Sequence, residues 1–192
     1  MKTKIFHASK ADRLDDPQRR IALPTSQVIK LLRIHSGGTI ADIGAGTGYF
    51  TLPLAEATGS AGTVIAIDAQ EEMLKRVHEK LKNSSMNSVR TVVASAEATG
   101  LEDNSCDLVF MAQIWHELDD RSRVMEECKR ILKEGGLLAI LDWRPDITPE
   151  QGPPIEHRIT SHETIRELTA CGFTTCTAEN VGTYSWLVQA QI

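Results

Sequence analysis

Residues 39–50, TIADIGAGTGYF, constrain this chain more than any other stretch. Thr39, Ile40, Ala41, Asp42 and Ile43 make an apolar run with the length of a short buried strand. Gly44, Gly46 and Gly48 follow at every second position, and the pattern after them predicts a helix over 49–57. Glycines at such a turn let the backbone bend sharply and let a ligand approach it with no side chain between. Free amides and the dipole at a helix start favour an anionic group, so the stretch reads as strand, nucleotide-type loop and helix.

The dinucleotide fingerprint, Gly-x-Gly-x-x-Gly, requires a third glycine where this chain has Tyr49. Asp42, two residues before the first glycine, would repel a pyrophosphate but suits the ammonium of an amino-acid moiety. The ligand favoured by the loop is therefore a nucleoside joined to an amino acid. This acid-x-Gly-x-Gly-x-Gly pattern after a strand resembles the first motif of the class I S-adenosylmethionine-dependent methyltransferases. The resemblance implies S-adenosylmethionine as cofactor, met here by Asp42, Gly44, Ala45, Gly46 and Gly48. It also implies an α/β fold: a Rossmann-like, doubly wound, mostly parallel seven-stranded sheet with an antiparallel last strand and helices on both faces.

The rest of the chain supplies further parts in order. Residues 63–67 read as a second buried strand ending in Asp68, an acid suited to accept from both hydroxyls of a ribose. The same Asp68 is also a favoured cap for the helix predicted over 70–82. Ala69 and Met73 are candidates for an apolar wall near the adenine, or plain core. A third strand over 89–94 leads to Ser95, Ala96 and Glu97, where the resembled family usually carries an Asp that contacts the adenine amine. Ser95 can accept from that amine with a shorter neutral group, or Glu97 reaches in. Residues 106–112 read as a fourth strand, with Asp107 structural and Gln113 to Glu117 at the carboxyl end where ligands of open α/β sheets sit.

A helix over 119–132 and a strand over 137–141 follow, and the RILKEGG segment between them is a second match to the resembled family. Asp142, Trp143 and Arg144 then lie at the fifth strand's carboxyl end. Residues 145–160, with four prolines, read as a loop over the substrate side; a helix from 161 and a hairpin over 174–179 and 184–190 close the chain.

At 192 residues one domain is enough, divided into a segment 1–38 covering the site and a methyltransferase domain 39–192. His7, Lys10 and Arg20 are rim candidates in that cover, with a solvated charged tail as the alternative. A net charge of −5 argues against a surface for phosphate backbones, so no nucleic acid partner is expected. With no apolar run of membrane-span length and no signal-peptide centre, the expectation is a cytoplasmic monomer or homodimer without a membrane span. Cys106, Cys128, Cys171 and Cys176 read as reduced core or surface thiols, and no metal is expected.

Within the resembled superfamily the chain looks most like the small-molecule enzymes of quinone-biosynthesis type, which makes the expected partner a small-molecule methyl acceptor. Methyl transfer is an in-line displacement, and proximity supplies much of its acceleration. A base is needed only when the acceptor must lose a proton. His116 is the candidate for it, with Glu117 or His157 behind, while Trp115, His116, Trp143, Arg144 and His157 are candidates to bind the acceptor. The competing expectations are a non-catalytic binding protein that keeps the cofactor pocket, and a nicotinamide-dependent oxidoreductase, which Asp42 and Tyr49 disfavour.

Overall fold

Ile40, Ala41, Asp42 and Ile43 are all buried, as befits a strand covered on both faces, and Thr39–Ile43 forms β1, an interior strand of the sheet. The computed structural model describes residues 6–82, 84, 86–147 and 152–192. The other strands are β2 (Thr63–Asp68), β3 (Val89–Val93), β4 (Cys106–Ala112), β5 (Leu132–Trp143), β6 (Thr174–Val181) and β7 (Ser185–Gln191). Their spatial order is β3-β2-β1-β4-β5-β7-β6. Neighbours from β3 to β5 run parallel, and β7 runs antiparallel to both β5 and β6. This is the expected doubly wound sheet with its closing hairpin.

Among the described residues, six α-helices accompany it: α1 (Pro17–Ala22), α2 (Thr25–Leu32), α3 (Thr51–Thr58), α4 (Glu71–Lys82), α5 (Arg121–Ile131) and α6 (Ser161–Ala170). Successive strand residues point to opposite faces, which sorts the core into two layers. Ile40, Val64 and Phe110 pack with Val28 and Leu32 of α2 and Leu54 of α3. Ile43, Ile67, Met111 and Val188 pack on the other face with Val124 and Cys128 of α5 and Leu168 of α6. Burying a side chain such as Phe110 fully contributes about 1.5–3 kcal/mol. Asp107 fastens the start of β1, accepting from the Thr39 amide and from Lys133 Nζ at 2.8 Å each, the structural part expected of it.

Some boundaries differ from the sequence expectation, two of them for reasons visible in the local contacts. The helix expected over 49–57 begins at Thr51, because positive φ angles at Gly46 and Gly48 keep the chain in turns and the Tyr49 hydroxyl is tied to the Leu23 carbonyl at 2.7 Å. Leu132 turns to β geometry and pairs with Cys106, so α5 stops at Ile131 and β5 starts before its glycines. Ahead of these, a 3-10 helix, Ala8–Asp15, joins α1 at Asp16, whose side chain accepts from the Gln18 amide.

Strand order reverses at β1, with β2 on one side and β4 on the other, so the loops leaving β1 and β4 part and open a crevice. Pro149, in the loop expected over the substrate side, lies outside the described residues. No helix among the described residues is long and apolar enough to cross a membrane.

Candidate active site

The glycine loop is folded back toward β2. The amides of Gly44 and Ala45 both donate to the Ile67 carbonyl, at 2.8 and 3.0 Å, and Gly46 donates to Asp68 Oδ2 at 2.9 Å. Gly44 needs its hydrogen side chain: its φ is +71°, and a Cβ there would stand 2.6 Å from Ile114 Cδ1 of the opposite loop. Ala45 is turned inward against Ala66, Leu74 and Val77. Asp42 is buried beneath the start of α3, where Thr51 Oγ1 donates to it at 2.6 Å, and burial pushes its carboxyl up to about 7.

Asp68 is held by two backbone amides. Oδ1 accepts the Gln70 amide at 2.9 Å in the turn that leads into α4 at Glu71, while Oδ2 holds the glycine loop. Two backbone bonds leave half of a carboxylate's acceptor capacity, enough for a diol. Burial raises the Asp68 pKa, against the pull of the two amides. Ala69 is exposed and Met73 is buried in the first turn of α4. Beyond β3, Ser95 is exposed and bridges to Ala98, and Ala96 packs on the core. Glu97 lines a groove with Arg123, Glu126, Glu127 and Arg130 on the α5 side. Gln113, at φ +59° past β4, donates its amide to the Leu141 carbonyl at 2.6 Å.

The N-terminal segment crosses this crevice. Gln70 grips it twice, accepting from the Ala8 amide at 3.0 Å and donating to the Phe6 carbonyl at 2.8 Å, while the Phe6 amide donates to Glu117 Oε2 at 2.9 Å. Asp15 Oδ1 accepts from Thr47 Oγ1 at 2.9 Å and from Lys80 Nζ at 2.6 Å. Leu14 Cδ1 stands 3.2 Å from the place of a Gly46 Cβ. Arg19 lies over the Tyr49 ring at 4.2 Å and donates to Gln113 Oε1 at 2.9 Å; burial pulls its pKa down to about 10. His7, Lys10 and Arg20 are exposed on the outer side. Sequence reasoning gave no role to Asp15, Arg19 or Gln70, because their partners lie 32 to 94 residues away.

On the acceptor side, Trp115 and His116 occupy a 3-10 turn after β4. Trp115 is fully buried in the core, its Nε1 without a hydrogen-bond partner among the described residues and the Arg121 guanidinium 5.8 Å from its ring. His116 Nδ1 meets Asp142 Oδ1 at 2.8 Å, and Glu117 Oε1 lies 3.7 Å from Nε2. Burial works against the His116 imidazolium, but the hydrogen bond and charge of Asp142 and the charge of Glu117 outweigh it and raise the pKa. Burial also raises Glu117, beyond what the Phe6 amide and His116 take back. Asp142 was legible only as an acid at the end of β5.

Trp143 stacks on Tyr184 at 6.5 Å with the Arg158 guanidinium 5.6 Å from its ring. Arg158 donates to the carbonyls of Arg144, Ile147 and Pro153, tying down the loop around it. Arg144 is engaged by Asp146, at 3.0 Å between Nε and Oδ1. His157 is half-buried at the end of a one-turn 3-10 helix, Ile155–His157.

Residues 41–140 match a family model described as a methyltransferase domain. A demethylmenaquinone methyltransferase of Listeria welshimeri is 33% identical over 116 residues, 60% of this chain and 49% of that protein. A ubiquinone/menaquinone biosynthesis C-methyltransferase of Escherichia coli is 33% identical over 118 residues, 60% of this chain and 47% of that protein. The chain thus spans about half the length of the curated relatives it matches. Among solved structures, a SAM-dependent methyltransferase from Aquifex aeolicus superposes with a TM-score of 0.92 and 34% identity, covering 98% of this chain and 100% of that one.

Proposed function

We propose, from the premise that the chain belongs to the methyltransferase domain family, that it transfers a methyl group from S-adenosylmethionine to a small-molecule acceptor. The observation that carries this reading is the Asp68 carboxylate, fixed against the glycine loop at the switch point of the sheet with acceptor capacity to spare. That donor and acceptor set fits the cofactor's nucleoside end. Asp68 takes the ribose hydroxyls, Gly44, Ala45, Gly46 and Gly48 give the backbone that approaches the cofactor, and Asp42 answers the ammonium. Ala69, Met73 and Gln113 border the adenosyl end, with Ser95, Ala96 and Glu97 at its base. When bound, the cofactor supplies an electrophilic methyl group on a cationic sulfur.

Of the N-terminal segment 1–38, residues 1–5 lie outside the described residues and the rest covers the site, while residues 39–192 carry the methyltransferase domain proper. The described part of the cover bridges the two sides of the crevice, since Phe6 and Ala8 meet Gln70 after β2 and Glu117 after β4. Closing it excludes water from the transfer and holds the acceptor in line. His116 and Glu117 are the acid–base pair, and Trp115, Trp143, Arg144 and His157 belong to the acceptor side, Trp115 as its buried support.

A reduced, quinol-type acceptor fits best, in keeping with the relatives named above. Its ring is activated for attack when a phenolic proton leaves, which His116 and Glu117 can serve. The test is incubation with methyl-labelled S-adenosylmethionine and a short-chain reduced demethylmenaquinone. Label in the quinol, at a rate that falls in Asp68→Asn, supports the reading. Label transfer to other small molecules but never to a quinol would keep the methyltransferase and remove the quinol.

A further inference from the structure

Asp142 is a buried carboxylate held by backbone amides on both of its oxygens. It is 1% exposed, and the amide of Trp143 donates to its Oδ1 at 2.7 Å while the amide of His116 donates to Oδ2 at 2.9 Å. Its place follows from the parallel register of β4 and β5. Met111 pairs with Ile140 and Ala112 with Leu141, and the Gln113 amide bonds the Leu141 carbonyl, so the turn after β4 returns His116 onto the next residue of β5. His116 Nδ1 then lies 2.8 Å from Oδ1 and 3.1 Å from Oδ2.

An ionised carboxylate only accepts hydrogen bonds, so Nδ1 is the nitrogen that carries the proton and Nε2 keeps the free lone pair. Neutral imidazole in water favours the other tautomer. Nε2 lies 3.7 Å from Glu117 Oε1, too far for a hydrogen bond but close enough for the charge to matter. Glu117 is itself anchored, since its Oε2 takes the Phe6 amide.

Resting on the methyltransferase reading above, we propose that Asp142 is a positioning residue that locks His116 in the Nδ1–H form, so that Nε2 removes the proton of a hydroxyl or ammonium acceptor. In that step the acceptor's O–H or N–H bond breaks, the proton forms the Nε2–H bond, and the electron pair stays on the acceptor as the nucleophile. Asp142 and Glu117 then flank the imidazolium. The substrate class is narrowed accordingly to acceptors with a weakly acidic proton, and excludes those that arrive as ready nucleophiles, such as tertiary amines.

The charged groups facing the ring are Asp142 from β5, Glu117 beside it and Arg158 from the loop after β5, which opposes the two carboxylates. Asp68, across the crevice, acts on Glu117.

The test is a long-range proton–nitrogen correlation NMR titration of the full ¹⁵N-labelled chain. The chain has six histidines, and His116 is assigned by its loss in His116→Gln. Expected is a neutral form with the proton on Nδ1, and a midpoint that falls by a unit or more in Asp142→Asn, with the alkaline-rising limb of kcat/KM moving by the same amount. A neutral form with the proton on Nε2 overturns the inference, in the wild type alone if Asp142→Asn does not fold. An unchanged midpoint in folded Asp142→Asn overturns it as well. S-adenosylhomocysteine binding, measured on the same samples, reads the methyltransferase assignment separately from the tautomer.

Discussion

The amide of Gly46 donates to Asp68 Oδ2 at 2.9 Å, so the first crossover's glycine loop and the acid that ends the second strand form one unit. The other oxygen of the same carboxylate takes the Gln70 amide at 2.9 Å. Asp68→Ala therefore strips two backbone donors of their acceptor, and each such buried donor costs about 1–3 kcal/mol. Denaturant unfolding is expected to show a large loss for Asp68→Ala and a smaller one for Asp68→Asn, which keeps an acceptor. Equal losses would mean the amides find other partners.

Gly44→Ala is expected to cost both stability and cofactor. Its φ of +71° costs an L-residue on the order of 1–2 kcal/mol, and its Cβ would press on Ile114 Cδ1 at 2.6 Å. Adding Ile114→Ala removes the clash but not the backbone strain. The double variant should regain part of the lost melting temperature and of the S-adenosylhomocysteine affinity. No recovery at all would place the whole effect in the backbone.

The strand and loop of residues 39–48 were legible because burial on both faces writes a continuous apolar run and because the turn admits only glycine at Gly44. The doubly wound sheet was implied by the resemblance to the class I methyltransferases, and such runs placed its strands and closing hairpin along the chain. The contact between His116 and Asp142 was not, for it depends on the relative register of β4 and β5 across 26 residues, which no local pattern records. Trp115 reads as a wall from its place after a strand, whereas the 3-10 turn swings its ring fully into the core. The path of the N-terminal segment rests on single side chains such as Gln70 and Asp15, whose partners are distant in sequence.

Asp42 should impose a pH dependence of its own. Burial lifts its carboxyl to about 7, above the unfolded value, so the folded state favours the protonated form. The stability that Asp42 contributes is complete below about pH 4, declines as pH rises toward 7, and stays level above, with a total span on the order of a few kcal/mol. The difference in unfolding free energy between wild type and Asp42→Asn is expected to follow that curve. A difference independent of pH from 4 to 8 would show that Asp42 titrates as an exposed acid does.

Asp15→Ala releases Thr47 and Lys80 from the N-terminal segment. The pairing is partly exposed and worth about 1 kcal/mol, so S-adenosylhomocysteine should leave roughly fivefold faster in stopped flow. Limited trypsin cleavage within residues 8–22 should quicken while global unfolding stays the same. Unaltered release with faster cleavage would separate the segment from the cofactor.

The most direct measurement is calorimetric titration of the protein with S-adenosylhomocysteine, with NADH as the control ligand and Asp68→Asn alongside. The structure predicts micromolar binding of S-adenosylhomocysteine, none of NADH, and a tenfold or greater loss in Asp68→Asn, as expected for charge-assisted bonds to a diol. A folded wild-type protein that takes up no S-adenosylhomocysteine, or that prefers NADH, would contradict it.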